Sequence, residues 1–237
     1  MKVGNPLGIM PGVHQIRAIG ARVTVLSDGD GTVLVDAGSR GSQGAISSGL
    51  EALGIPVDSV SLVAVTHYHP DHTGGLSRLL RATPAKIAAH SSEAAYISGE
   101  ETAPSPFSNG LIATLARPII RRLSGAPVDV DYFLEDGDRL PLDLEVRVVH
   151  TPGHTAGSIC LYVPSKNLVI VGDALQYKRG RLGLPASHVT QDLGLAIQSL
   201  KKLLNLDIET ICFSLFPALR RDAHASLTRL VDSQTAA

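Results

Sequence analysis

The stretch SLVAVTHYHPDHTGG, residues 61–75, places three imidazoles and a carboxylate within six positions, directly after an apolar run. Neutral imidazole nitrogen and carboxylate oxygen are the donors that zinc, iron and manganese accept. Side chains two apart on an extended backbone project to the same side, so His67 and His69 face one point. Asp71 and His72, beyond Pro70, turn toward a second. The apolar run reads as a buried strand that delivers this motif at its C-terminal end, where a rigid sheet can hold a reactive loop. A metal site is the sharper reading, and a solvated His-rich loop is the bland one.

On the N-terminal side, residues 13–19, 22–27 and 32–36 are short runs rich in Val and Ile, separated by Gly20 and by the Asp28 to Gly31 turn. They read as consecutive antiparallel strands. Ile46, Leu50 and Leu53 then recur at helix spacing until Gly54 and Pro56 end the pattern. On the C-terminal side a helix is expected through Leu76, Leu79 and Leu80, followed by a strand at 86–89. From 91 to 130 strand character disappears, apart from a short helix, a Pro-bearing loop over 102–109 and an amphipathic run at 111–123. Pro118 is expected to start or kink a helix there. This run could be a lid over a pocket, a dimer face or a core-packing helix. Its Arg117, Arg121 and Arg122 could meet an anionic substrate, with a solvated helix face as the simpler reading.

The second half repeats the logic of the first, with strands expected at 132–134, 144–149, 159–163 and 168–171, a helix over 192–204, a strand at 210–213 and a helix near 222–231. Two strand-end loops carry further candidate ligands: His150 and His154 in one, Asp173 in the other. Gly153 would let the backbone approach closely before His154, while His150 suits an outer position or a strand end. Strands then helix, followed by strands then helix, predicts an α+β fold with two sheets packed face to face and helices outside. The whole of 1–237 is expected to form one domain, with a helical lid-like insertion at about 91–130.

Hydrophobic residues make up 44% of the chain, enough for a sizeable core, and the net charge is -1 without long runs of one sign. That balance gives no reason to expect nucleic acid or an anionic membrane surface as a partner. The first six residues lack the apolar segment of a signal peptide, and no run approaches a membrane span, so a cytoplasmic location is expected. Cys160 and Cys212 lie in apolar strand-like runs and read as buried thiols.

Taken together, Asp36, the His67, His69, Asp71 and His72 motif, His154 and Asp173 resemble, in order, the metallo-β-lactamase superfamily, specifically its lactonase-like and hydroxyacylglutathione hydrolase-like branch. The resemblance covers nearly the whole chain and implies an αββα four-layer sandwich with a metal site along one edge. It implies that His67, His69 and His154 bind a first metal, that Asp71 and His72 bind a second, that Asp173 bridges them, and that Asp36 is structural. Zinc is the implied ion, one or two per chain, with iron or manganese as alternatives. A final His follows the last strand in dinuclear members, whereas this chain reads Phe213-Ser214-Leu215-Phe216-Pro217. Leu215 stands in the His register, and after a one-residue slip Phe216 does. Neither side chain can bind a metal, so a weak or empty second position is expected unless His188 or His224 moves in.

The implied activity is hydrolysis of a small ester, lactone or thioester by a metal-activated hydroxide, with Asp71 as proton carrier and Tyr177 as a donor to the developing oxyanion. Tyr177 packing at the pocket rim is the simpler alternative. Two other readings stand beside this one. One is a persulfide dioxygenase with iron held by His67, His154 and Asp173; the other is a site-impaired member with little catalysis. The expected partners are a small-molecule substrate and, as one use of the amphipathic run, a second copy of the chain. Leu215→His is expected to raise metal affinity at the second position in a zinc titration; an unchanged titration would mean that the register at the last strand is wrong.

Overall fold

Alternation along the strands decides which way each side chain faces, and it sorts the interior into three apolar layers. The computed structural model describes residues 2–28, 31–107 and 109–235. Gly29 and Asp30 of the expected turn, and Ser108 of the Pro-bearing loop, lie outside the described residues. The chain begins with β1 (Pro6–Met10), β2 (Val13–Arg17), β3 (Arg22–Asp28) and β4 (Gly31–Val35), then α1 (Gln43–Ala52) and β5 (Val60–Val65). Two short helices, α2 (Pro70–Thr73) and α3 (Leu76–Leu79), precede β6 (Lys86–His90), α4 (Ser91–Ser98), α5 (Gly110–Leu123) and β7 (Tyr132–Leu134). The remainder is β8 (Arg147–His150), β9 (Ile159–Val163), β10 (Leu168–Ile170), β11 (Gln176–Lys178), β12 (Arg181–Gly183), α6 (Leu193–Leu203), β13 (Thr210–Cys212) and α7 (Ala223–Thr235).

The first seven strands form one sheet in sequence order, antiparallel from β1 to β4 and parallel from β4 to β7. A second sheet has the order β13-β10-β9-β8, and β11 pairs with β12 as a separate hairpin. Val33, Val35, Leu62 and Ala64 of the first sheet pack with Leu161, Val163, Leu168 and Ile170 of the second, making the middle layer. The alternate residues Leu34, Val63 and Val65 face the other way, against Ile46 and Leu50 of α1 and Ile97 of α4. Likewise Cys160, Tyr162 and Val169 face Leu200 and Leu203 of α6 and Leu227 of α7. Helix, sheet, sheet and helix therefore stack as the expected αββα sandwich. Cys160 and Cys212 are both free and buried, and burial pushes each thiol up to about 12.

One strand lies outside the sequence expectations, and three local expectations are corrected. β1 carries Pro6 and Gly8, poor strand formers, and is held as an edge strand by pairing with β2. The strand 132–134 joins the first sheet beside β6 rather than opening the second. Leu76 to Leu79 forms only one turn. Pro118 lies inside α5 and does not start it, and no residue of α5 is buried, which rules out the core-packing reading of that run. Leu111, Leu115 and Ile119 form an exposed stripe along it. No helix among the described residues is long and apolar enough to cross a membrane.

The strand ends converge on one edge of the sandwich. Ile159 N–H donates to the Thr66 carbonyl at 3.0 Å, tying β9 of the second sheet to the end of β5 in the first. Removing apolar volume from the middle layer should therefore loosen both sheets. Leu161, fully buried, is expected to cost about 2–5 kcal/mol as Leu161→Ala, whereas Leu115→Ala on the exposed stripe should stay within about 0.5 kcal/mol. Urea unfolding curves of the two variants check the contrast.

Candidate metal centre

β5 ends at Val65, and Pro70 fixes the first turn of α2 five residues later. Between them Thr66, His67 and His69 are buried, and His72 is buried on α2 itself. His69 Nδ1 lies 3.1 Å from His67 Nε2 and 3.1 Å from His154 Nε2. Tetrahedral zinc with Zn–N distances near 2.0–2.1 Å requires nitrogens about 3.3 Å apart, so these three atoms are spaced to share one ion.

Hydrogen bonds around the cluster set which ring nitrogen carries the proton. The Thr66 hydroxyl donates to the Asp36 carboxylate at 3.0 Å, so toward His67 Nδ1, also at 3.0 Å, it can only accept. His67 Nε2 is thereby left with its lone pair facing the cluster. The Thr190 hydroxyl donates to the Ala186 carbonyl at 2.9 Å and accepts from His154 Nδ1 at 3.2 Å, with the same effect on His154 Nε2. Asp36 accepts from His72 Nδ1 at 2.7 Å and aims His72 Nε2 inward. Burial, reinforced by the neighbouring imidazoles, holds His67 and His69 well below the usual histidine range. Burial also lowers His154, to about 4, against the opposing pull of Asp173. Three neutral imidazoles are the form that binds a metal.

A second group comprises His67, His72 and Asp173. Asp173 Oδ1 lies 3.6 Å from His72 Nε2 and its Oδ2 lies 3.8 Å from His154 Nε2, so one carboxylate presents an oxygen to each position. Asp71 Oδ2 stands 3.7 Å from His72 Nε2 on the outer side, with its side chain 32% exposed. For His72, burial opposes the charged form, but Asp36, Asp71 and Asp173 outweigh it and hold the imidazole well above its ordinary value. His69 Nε2 and His72 Nε2 are buried without a hydrogen-bond partner. For His72, whose other nitrogen faces Asp36, that orphaned atom beside two carboxylates is where a cation would displace the imidazolium proton. The residues present fit a metal ion.

The loop after β8 brings in His154 rather than His150. Gly153 has φ +131°, and a Cβ there would stand 2.3 Å from the Ala196 backbone nitrogen, so only glycine lets the loop press against α6. His150 ends β8, stacks on His90 with ring centroids 3.9 Å apart, and approaches the Ala156 carbonyl at 2.9 Å through Nε2. Beyond β13, Phe213 is fully buried, Ser214 turns its hydroxyl to Asp36 Oδ2 at 3.2 Å, and Leu215 is 40% exposed. Phe216 packs with the outer layer of the second sheet, under the Lys178 ammonium. His188 stacks with Phe107, and His224 lies on α7; neither belongs to a ligand cluster among the described residues. The ring of Tyr177 lies on β11, stacked on Phe213 at 5.9 Å within that outer layer.

Sequence reasoning missed Glu93, which is buried on α4 and accepts from Tyr68 N–H and from Gly157 N–H, each at 2.7 Å. It clamps the two loops that carry His67, His69 and His154. Thr66, Thr190 and Ser214 were missed as well; only Thr66, sitting inside the motif, carried a local signal.

A cavity of about 610 Å³ is walled by Tyr68, Pro70 and Thr73 from the motif and by Ala113, Arg117 and Ile120 from α5, while none of the candidate ligands lines it.

The family model for the metallo-beta-lactamase superfamily matches residues 17–214. Among similar proteins, the Bacillus subtilis (strain 168) protein named probable metallo-hydrolase YflN is 29% identical over 217 residues, 84% of this chain and 82% of that one. The acyl-coenzyme A thioesterase MBLAC2 of Gallus gallus is 32% identical over 149 residues, 61% of this chain and about half, 52%, of that protein. The solved metallo-beta-lactamase MIM-1 from Novosphingobium pentaromativorans shares the fold with a TM-score of 0.73 at 22% identity, over 98% of this chain and 88% of that one.

Thr190→Val keeps the shape of the side chain but removes the group that fixes the His154 tautomer. It is expected to weaken metal binding about 10–100-fold, read by competition with a chromophoric chelator, with an unchanged circular dichroism spectrum.

Proposed function

The chain belongs to the metallo-beta-lactamase superfamily, and on that premise we propose that it is a metal-dependent hydrolase acting on a small acyl thioester, with esters and lactones as related substrates. The observation that carries this reading is the imidazole triad, in which His69 Nδ1 lies 3.1 Å from His67 Nε2 and 3.1 Å from His154 Nε2, with Thr66 and Thr190 directing the lone pairs of His67 and His154 inward. The relatives named metallo-hydrolase and acyl-coenzyme A thioesterase support it. His69 Nδ1, equidistant from the other two nitrogens, favours a three-imidazole position over the two-imidazole, one-carboxylate set of a dioxygenase. Zinc is the proposed ion.

A bound ion would supply Lewis acidity and lower the pKa of water at the site. The chain's own groups do the rest. Asp36, Thr66 and Thr190 hold the imidazole orientations without moving. The cavity wall of Tyr68, Pro70 and Ile120 takes the acyl chain and keeps bulk water from it. Hydrolysis adds water across the C–S bond: the acyl carbon gains the hydroxyl, and the sulfur leaves with the bonding pair. The proton released on attack goes to Asp71 Oδ2, whose carboxyl is raised by burial and is open to solvent on one side, and from there to the departing sulfur or to water. Tyr177, stacked on Phe213, is assigned to packing rather than to the oxyanion. In this proposal α5 acts as the lid, the chain works in the cytoplasm, and the exposed stripe of Leu111, Leu115 and Ile119 is the face for a homodimer.

The test is turnover of lactones, aryl esters, glutathione thioesters and organophosphates by metal-free and zinc-loaded protein. Thioester hydrolysis should disappear on chelation and return with zinc. Asp71→Asn should lower kcat by about 10²–10⁴-fold while the three-imidazole ion is retained. Iron-dependent oxygen consumption on a persulfide, with no hydrolysis, would replace this reading with the dioxygenase; full metal loading without any turnover would mark an impaired member.

A further inference from the structure

Beside the cavity lies a second depression of about 400 Å³, lined by Arg40, Arg78, Arg81 and Arg121 together with Ser77 and Ser124. The two depressions are neighbours, since Arg121, Ser124, Gly125 and Ala126 line both. Its four arginines come from three separate parts of the fold: the loop after β4, the α3 turn and its end, and the last turn of α5. No carboxylate lines it, and among the described residues none of the four arginines has an ion-pair partner within 4.0 Å. Arg81 makes one hydrogen bond, from Nη1 to the Ser77 carbonyl at 3.1 Å.

Close backbone packing brings two walls of the depression together. Arg40 N–H donates to the Leu123 carbonyl at 2.7 Å, pinning the end of α5 to the loop after β4. Gly74, from the motif's Gly74-Gly75 pair, permits this: a Cβ there would stand 2.2 Å from the Leu123 carbonyl oxygen and 2.6 Å from Arg40 N. The same glycines that follow the metal ligands therefore set the arginines beside the cavity.

Four positive charges gathered in a chain of net charge -1, without acidic neighbours, call for an anion. Guanidinium is the group that matches phosphate oxygens with paired hydrogen bonds, and several in one concavity suit more than one phosphate. We propose that this depression is a phosphate subsite, and that the substrate is a thioester whose thiol portion carries phosphate or pyrophosphate: the acyl chain lies in the apolar cavity and the phosphates rest on Arg40, Arg78, Arg81 and Arg121. This rests on the hydrolase reading above and names its substrate class. A nucleic acid is the competing occupant. The small size of the depression and the residues it shares with the apolar cavity favour a single phosphorylated molecule.

Two measurements test it. In the first, kcat/KM of the zinc-loaded protein is compared for butyryl-coenzyme A and for butyryl-N-acetylcysteamine, which has the same acyl group and no phosphate. The phosphorylated thioester should be preferred, and the ratio of the two values should fall at least about tenfold in Arg78→Ala/Arg81→Ala, with the preference declining as salt rises. A ratio that is the same in wild type and variant overturns the subsite and leaves the hydrolase standing. In the second, inorganic pyrophosphate is titrated into metal-free protein, so that the result does not depend on turnover. Saturable binding that is lost in the double variant supports the subsite even if no thioester is hydrolysed. Absence of binding, or a single-stranded oligonucleotide bound more tightly than pyrophosphate in the same buffer, overturns it. Circular dichroism of the variant confirms that loss of binding is not loss of fold.

Discussion

The buried carboxylate of Asp36 is the constraint from which the rest of the site follows. It sits one residue beyond β4 with φ +65°, and its oxygens accept from Thr66 N–H at 2.8 Å, Thr66 Oγ1 at 3.0 Å, His72 Nδ1 at 2.7 Å and Ser214 Oγ at 3.2 Å. A carboxylate removed from water must be fully hydrogen-bonded or it costs more than a marginally stable fold can bear. From the end of β4 its bonds reach the ends of β5 and β13 and the short helix α2 within the motif. The strand ends are thus locked to one another by the same group that decides which nitrogen of His72 points inward and, through Thr66, which nitrogen of His67 does. Fold and ligand geometry share one anchor.

Much of this was legible in the chain because the relevant signals are local. The motif at 66–75 follows an apolar strand without interruption, and the alternation of Leu62, Val63, Ala64 and Val65 between two core layers is the period-two pattern of a strand buried on both faces. Gly153 before His154 marked a close approach that α6 indeed makes. What escaped is what depends on long-range placement. β1 has strand geometry because β2 offers it a partner, despite Pro6 and Gly8. Glu93 looked like one acid of a short helix, and only the packing of α4 against both ligand loops gives it Tyr68 and Gly157 to hold. Arg40, Arg78, Arg81 and Arg121 are scattered over 82 positions, and nothing in their spacing announces a common depression.

The departure at Leu215 has a structural counterpart. After β13 the chain spends Phe213 on the core, Ser214 on Asp36 and Phe216 on the outer layer, and leaves Leu215 40% exposed. The imidazole triad is complete within its own two loops and needs nothing from this segment. The second position has His72, with Asp71 and Asp173 near its Nε2, and gains no further imidazole from residues 213–217. The two halves of the centre therefore differ in kind: one is a closed set of neutral nitrogens, the other an open set dominated by carboxylates.

That asymmetry can be measured directly by titrating zinc into metal-free protein in a calorimeter. The account predicts one tight event at one ion per chain, followed by a separate and much weaker one. Two ions bound with equal affinity would contradict it, because they would require a second position as complete as the first.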